Sequence, residues 1–338
     1  MKISFKAINL PFKYPFTISK GTKTHQPSLL TQIDFLGIKG FGEAPAITYY
    51  NITVEKMIED LEAKRNMIER FSFTQPERFW HFLHHLIPGN PFLVCALDIA
   101  GWDLYGKLQK QSLYRLWKGD ISRSPVTDYT IGIDTIDKMV SKMNEKPWPV
   151  YKIKLGTDRD IEIITELRKH TSSVFRIDAN AAWTKDEALE KIKVFKDLGV
   201  EFIEQPLAKE DWEGMRFLYE HSPLPLIADE SCVLEDDVKK CYQHFHGINI
   251  KLTKCSGITP ALRMMAQARE LNMKVMIGSM NESSVGTSAI AQLMPFVDYA
   301  DADGPLLLAE DVATGVDFDQ GRIIYSNAPG IGALMDAF

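Results

Sequence analysis

The sequence predicts an α/β fold, a TIM-like (β/α)7β barrel preceded by an α+β capping domain, and three observations predict it. Short apolar runs recur through the C-terminal two thirds of the chain roughly every 22 to 27 residues. Segments with helical apolar spacing, such as Ile161, Ile164 and Leu167, or Ala188, Ile192 and Phe195, separate them. Ionisable residues close the runs: Lys152 and Lys154, then Asp178, Glu204, Asp229 and Lys251. In a parallel barrel the C-terminal ends of different strands meet at one mouth, so groups far apart in sequence converge.

Residues 1–125 lack this period and form the predicted capping domain. Ile3 to Leu10 and Leu30 to Glu43 alternate as strands, and Gly37-Ile38-Lys39-Gly40 and Phe41-Gly42 read as turns. Helices are predicted over Thr53 to Phe71, Gln75 to Leu86 and Pro91 to Trp117. Segments 14–28 and 44–51 have loop chemistry, with Pro15, Gly21, Pro27 and Pro45. Both are candidates to cover a barrel mouth and read a substrate; ordinary connections are the alternative.

The barrel is predicted over residues 126–320, with strands at Val126 to Ile133, Val150 to Leu155, Phe175 to Ile177 and Val200 to Ile203. Further strands follow at Pro225 to Ala228, Ile248 to Leu252, Val275 to Ile277 and Tyr299 to Ala300. Residues 321–338, with a Pro-Gly-Ile-Gly turn at 329–332, are expected to return to the capping domain.

Composition narrows the function classes. Hydrophobic content of 45% and charged content of 25% are those of an ordinary globular chain, and no run approaches a membrane span. A net charge of −6 with no Lys/Arg-rich tract argues against nucleic acid and for a small-molecule partner. A homo-oligomer is left open. The N-terminus Met-Lys-Ile-Ser-Phe-Lys-Ala-Ile has no secretory character, so the expected location is cytoplasmic. Four scattered cysteines, Cys95, Cys232, Cys241 and Cys255, form no ligand or redox pair and read as buried thiols.

Asp178, Glu204 and Asp229 offer carboxylates from three successive strands. Oxygen donors without histidine or cysteine favour Mg²⁺, with Mn²⁺ as the alternative, over zinc. Asn180 and Glu230 stand beside these ligands as candidates to support them; capping the next helix is the competing role. Lys152 and Lys154 share a strand face, and Lys251 closes a strand across the barrel. Two amines on opposite sides of one carbon next to a metal-bound carboxylate can remove a proton from one face and return it to the other, which suits epimerisation.

Taken together, Lys152-x-Lys154, Asp178-Ala-Asn-Ala-Ala-Trp183, Glu204-Gln-Pro206, Asp229-Glu-Ser231, Lys251 and Gly278-Ser-Met-Asn-Glu-Ser283 resemble the muconate-lactonizing-enzyme subgroup of the enolase superfamily. The resemblance covers essentially the whole chain. It implies that Asp178, Glu204 and Asp229 bind Mg²⁺, that Lys154 and Lys251 are the acid/base pair acting through an enediolate, and that Lys152 helps to hold a substrate carboxylate.

The subgroup contains cycloisomerases, o-succinylbenzoate synthases, N-acylamino acid racemases and dipeptide epimerases. Asp301 and Asp303, expected on one face at the end of the last strand, would repel an anion and attract an ammonium. That Asp-x-Asp resembles the dipeptide epimerases, and it implies epimerisation of the second residue of an Ala-Xaa dipeptide, as in cell-wall peptide metabolism. Epimerases for Ala-Glu carry an arginine in the mobile N-terminal loop, whereas Phe16 to His25 holds only Lys20 and Lys23. The expected Xaa is therefore apolar or small and polar. Thr130 and Ser279, at strand ends, are candidate pocket contacts.

Three rivals stay open. A racemase or o-succinylbenzoate synthase needs no ammonium site. A sugar-acid dehydratase needs a histidine base, and a non-catalytic ligand-binding barrel needs neither lysine.

Overall fold

The computed structural model describes residues 1–338. Three antiparallel strands, β1 (Lys2–Ile18), β2 (Gly21–Phe35) and β3 (Ile38–Pro45), open the chain. The segment read as a loop, 14–28, is instead the tip of the β1–β2 hairpin, in which Phe16 pairs with Lys23 and Ile18 with Gly21. Pro15 is compatible with a strand because β1 is an edge strand with a register shift between Pro11 and Phe16, where a missing N–H costs no ladder bond.

The β2–β3 turn is also displaced from expectation. It falls at Leu36 and Gly37, both at positive φ (55° and 78°), as a two-residue hairpin turn requires. Gly40 and Gly42 lie inside β3, where they let the sheet lie directly on a helix. A Cβ on Gly42 would stand 1.9 Å from the Ala96 carbonyl oxygen, and one on Gly40 would stand 2.1 Å from that of Ala100.

Three helices follow: α1 (Val54–Glu69), α2 (Pro76–Leu86) and α3 (Pro91–Leu108). The Thr53 hydroxyl accepts from Lys56 N and the Asn90 side-chain Oδ1 from Leu93 N, so each caps its helix start. The helix expected to run to Trp117 stops at Leu108. Lys110 then turns at φ 56°, and a single turn resumes over Leu113–Leu116. Helix α3 is buried almost throughout because it lies between the small sheet and the barrel.

The barrel strands are β4 (Tyr129–Ile131), β5 (Val150–Lys154), β6 (Val174–Asp178), β7 (Val200–Glu204), β8 (Leu226–Ala228), β9 (Gly247–Lys251), β10 (Lys274–Gly278) and β11 (Tyr299–Ala300). All pair in parallel in sequence order, and a parallel bridge from Thr127 to Ala300 closes the ring. Strands β5 and β9 are four steps apart in either direction, hence diametrically opposed. Register completes the arrangement, since Lys154 pairs with Asp178 and Asp178 with Glu204, which sets the three at one height.

The larger apolar core spans both parts, from Leu10, Phe41 and Trp102 of the capping region to the barrel interior, and a second lies within the cap. Buried cap carboxylates strengthen the joint by facing helix N-termini of the barrel, where free N–H groups and the helix dipole favour negative charge. Asp98 accepts from Thr259 N (3.0 Å) and its hydroxyl (2.8 Å), and Glu43 accepts from Ser283 N (3.1 Å) and Gly286 N (3.0 Å). The C-terminal tail begins with a hairpin, Asp317–Asp319 with Arg322–Ile324, whose turn contains the expected 320/321 boundary. It then reaches Asp103 through Ile331 N (2.9 Å) and Gln32 through Phe338 N (3.1 Å). No helix is long and apolar enough to cross a membrane.

Candidate active site

A cavity of about 650 Å³ occupies the C-terminal mouth of the barrel, a volume usual for a small-molecule site. Its floor includes Lys154, Asp229, Lys251 and Asp301, with Thr130, Asn180 and Ser279 beside them. Its roof comes from the β1–β2 tip, with Phe16, Ile18, Lys20 and Lys23, and from Ile47 to Tyr50. Segments 14–28 and 44–51 thus both face the mouth. No histidine lines it.

Asp178, Glu204 and Asp229 each present a carboxylate oxygen within 4.8 Å of the others, and all three are buried. Burial first, and the Asp178 charge next, push Glu204 up to about 7. A divalent cation relieves that crowding, and a donor set made only of carboxylate oxygens fits Mg²⁺. Burial would raise Asp178 too, but Lys154 and Lys152 outweigh it and hold it down at about 2. Asp229 is likewise held well below the carboxylate range, since Lys251 and Lys254 outweigh its burial.

The two lysines expected to act as bases reach this cluster from opposite sides. Lys154 Nζ lies 2.6 Å from Asp178 Oδ2, and Lys251 Nζ lies 2.8 Å from Asp229 Oδ2. Both ammonium groups line the cavity.

Lys152 differs from expectation. It is wholly buried and does not line the cavity; its Nζ sits 2.7 Å from Asp301 Oδ2, 2.7 Å from Glu204 Oε2 and 3.3 Å from Asp178 Oδ2. It shares a face with Lys154 but lies two residues lower, roughly 6.6 Å down the strand, which puts it beneath the carboxylates rather than above them.

Asp303 departs as well. Asp301 faces the cavity, whereas Asp303 accepts from Thr130 N at 2.6 Å and lies behind it. The two-residue alternation that would align them holds only within a strand. Here β11 ends at Ala300, and Asp303 (φ −93°, ψ 5°) starts the one-turn helix Gly304–Leu307. Burial and the Asp301 charge push Asp303 up to about 7.

Asn180 N donates to Asp178 Oδ1 at 2.9 Å and fixes that carboxylate, while the Asn180 side chain faces the cavity. Glu230 is bound by Lys20 of the hairpin tip at 2.9 Å, with Lys20 also 4.1 Å above the Tyr49 ring. Two contributors were missed. Asn249 Nδ2 donates to Glu204 Oε1 at 2.8 Å, and Lys254 Nζ sits 2.6 Å from Asp229 Oδ1. The pattern Asn249-Ile-Lys251 does place Asn249 on the Lys251 face, a usable signal; nothing in the sequence distinguishes Lys254 from a solvated helix lysine.

Comparison with known proteins agrees with this fold. Residues 135–338 match the family described as enolase C-terminal domain-like, and residues 2–117 match the mandelate racemase / muconate lactonizing enzyme N-terminal domain. An L-Ala-D/L-amino acid epimerase of Flavobacterium johnsoniae is 52% identical over 335 residues, covering 99% of this chain and 100% of that protein. The L-Ala-D/L-Glu epimerase of Bacillus subtilis, solved with substrate, superposes with a TM-score of 0.93 at 28% identity over 100% of both chains. A dipeptide epimerase of Cytophaga hutchinsonii, solved with Mg and D-Ala-L-Val, gives 0.93 at 26% identity over 99% of this chain and 95% of that one. With both of its domains matched along nearly the whole chain, the protein belongs to the mandelate racemase / muconate lactonizing enzyme family of the enolase superfamily.

Proposed function

We propose that this protein is a Mg²⁺-dependent isomerase that epimerises the C-terminal residue of Ala-Xaa dipeptides. The observation that carries the reading is the placement of Lys154 and Lys251 on diametrically opposed strands, with Asp301 at a third point of the same mouth. Relatives that act on, or are solved with, dipeptides support it.

The C-terminal α-carbon of the dipeptide lies between the two lysines. One amine takes the α-proton from its face, and the other ammonium delivers a proton to the opposite face, which inverts the centre. Asp178, Glu204 and Asp229 hold Mg²⁺, which when bound neutralises the charge that gathers on the substrate carboxylate as the proton leaves. Lys152 acts from below, compensating Glu204 and Asp301 rather than gripping substrate. Asp301 receives the substrate ammonium. Asp303, with its Oδ1 free of hydrogen bonds, backs it. Thr130 and Ser279 border the dipeptide, Asn180 N holds the Asp178 carboxylate, and Glu230 anchors the hairpin tip through Lys20.

The roof reads the side chain of Xaa. Phe16, Ile18 and Ile47 of the roof, with Met280 beside them in the cavity wall, give it apolar surface, and Lys20 is paired with Glu230 and Lys23 with the Gln26 side chain, so apolar and small polar side chains fit best. A cytoplasmic setting in cell-wall peptide turnover extends the reading by analogy with Ala-Glu epimerases. Chiral chromatography of an L-Ala-L-Xaa panel and of N-acetyl amino acids, each incubated with enzyme and Mg²⁺, tests it. Epimerised dipeptides with unchanged N-acetyl compounds are expected; the reverse result assigns a racemase.

A further inference from the structure

Lys254 lies outside the cavity and has no part in the proton transfers above. It sits on the single helical turn Leu252–Cys255 after β9 and is 1% exposed. Its Nζ contacts Asp229 Oδ1 and the Asp229 carbonyl oxygen, both at 2.6 Å, the Cys232 carbonyl at 2.9 Å and the Asn249 carbonyl at 3.3 Å. Burying an ammonium costs several kcal/mol unless it is paired and fully bonded. Three carbonyls ask only for donors; the Asp229 carboxylate is the group that needs a charge.

The backbone is shaped to aim this lysine inward. Ser256 (φ 71°) and Gly257 (φ 131°) turn the chain sharply after it, and a Cβ on Gly257 would stand 2.3 Å from Asp98 Oδ2. Asp98 belongs to α3 and holds the following helix through Thr259, while Trp80 of α2 donates to the Ser256 carbonyl at 3.0 Å. The turn that carries Lys254 is thus clamped by the cap.

We propose that Lys254 is a positioning residue for the metal site: by holding Asp229 Oδ1 and the Asp229 carbonyl together, it fixes the carboxylate with Oδ2 toward the mouth. Oδ2 is the oxygen that faces Lys251, so it is the one left to a divalent cation. This inference rests on the Mg²⁺ reading above but not on the dipeptide.

Charge and positioning predict opposite effects of removing this lysine. Deleting a cation beside a metal ligand would by charge alone tighten Mg²⁺ binding. Losing the orientation of Asp229 weakens it, on the order of tenfold or more for a residue that orients a ligand. Mg²⁺ is titrated calorimetrically into chelator-treated, full-length wild-type, Lys254→Met and Lys254→Gln proteins without substrate, alongside thermal melts of the metal-free forms. The expected result is a Kd raised about tenfold or more in Lys254→Met and by less in Lys254→Gln, which keeps a donor, with cooperative melting retained. An unchanged or tighter Kd in a folded variant overturns the proposal. Should the Met variant not fold, the Gln variant carries the same test. Wild-type protein that binds Mg²⁺ yet turns over no dipeptide defeats the substrate reading and leaves this one standing.

Discussion

Glu282 follows the cavity residues Ser279 to Asn281 and is buried near Glu43 of the cap. Burial chiefly, and the Glu43 charge next, push its carboxyl up to about 8, against 4.5 for a free glutamate. The unfolded chain therefore loses this proton first. Stability falls as pH rises from about 4.5 to about 8 and levels off above, because the folded state keeps a proton that the unfolded state has released. At ~1.4 kcal/mol per unit, the whole window amounts to at most roughly 5 kcal/mol, of which about 2–3 kcal/mol falls between pH 6 and pH 8. Glu282→Gln keeps an oxygen for the Met280 N–H, a 2.7 Å bond, and cannot ionise. Urea unfolding of both proteins at pH 6 and pH 8 measures the difference. Comparison at equal pH cancels the groups common to both, so the advantage of the variant should be about 2–3 kcal/mol greater at pH 8. An advantage that is the same at both pH values refutes the reasoning.

Three further outcomes follow from the same geometry. Asp301→Asn should lower kcat/KM for dipeptides by roughly 10- to 100-fold, the size of a lost charge-assisted bond, beyond any effect on exchange of N-acetyl amino acids, which share only the loss of the Lys152 partner. Steady-state kinetics on the two substrate classes decide it; an equal fall on both removes the ammonium role. Stripping metal with EDTA should abolish activity, and restoring Mg²⁺ to a hundred times its Kd should add about 2.7 kcal/mol of stability. A melting temperature indifferent to Mg²⁺ argues against the carboxylate site. Gly42→Ala forces a Cβ onto the Ala96 carbonyl, where backbone on both sides cannot yield, and should cost roughly 3 kcal/mol in a denaturation experiment.

The parts of the site legible in the sequence are those that depend on strand phase alone. Lys154, Asp178 and Glu204 fall at the ends of adjacent strands, and parallel register then makes them neighbours. Depth is not encoded in phase, which is why Lys152 lies under the carboxylates although it shares a face with Lys154. Phase also fails where a strand has ended, as it has before Asp303. In the cap sequence, proline and glycine read as punctuation. In the structure, Pro15 and Pro27 lie in a hairpin, and Gly40 and Gly42 are points of contact with α3. Lys254 was invisible for a different reason: its partners are backbone carbonyls and a carboxylate brought together only by the closed barrel.

The proposed function requires two bases acting from opposite faces of one carbon. Its most direct test follows the α-proton of L-Ala-L-Xaa and L-Ala-D-Xaa by NMR in D₂O with wild-type, Lys154→Ala and Lys251→Ala proteins and Mg²⁺. Each variant should lose interconversion by about a thousandfold, the scale of a missing general acid or base. Each should still exchange the proton of one diastereomer, and the two variants should retain opposite ones. Loss of exchange on both diastereomers in both variants, or epimerisation surviving either substitution, contradicts the two-base account.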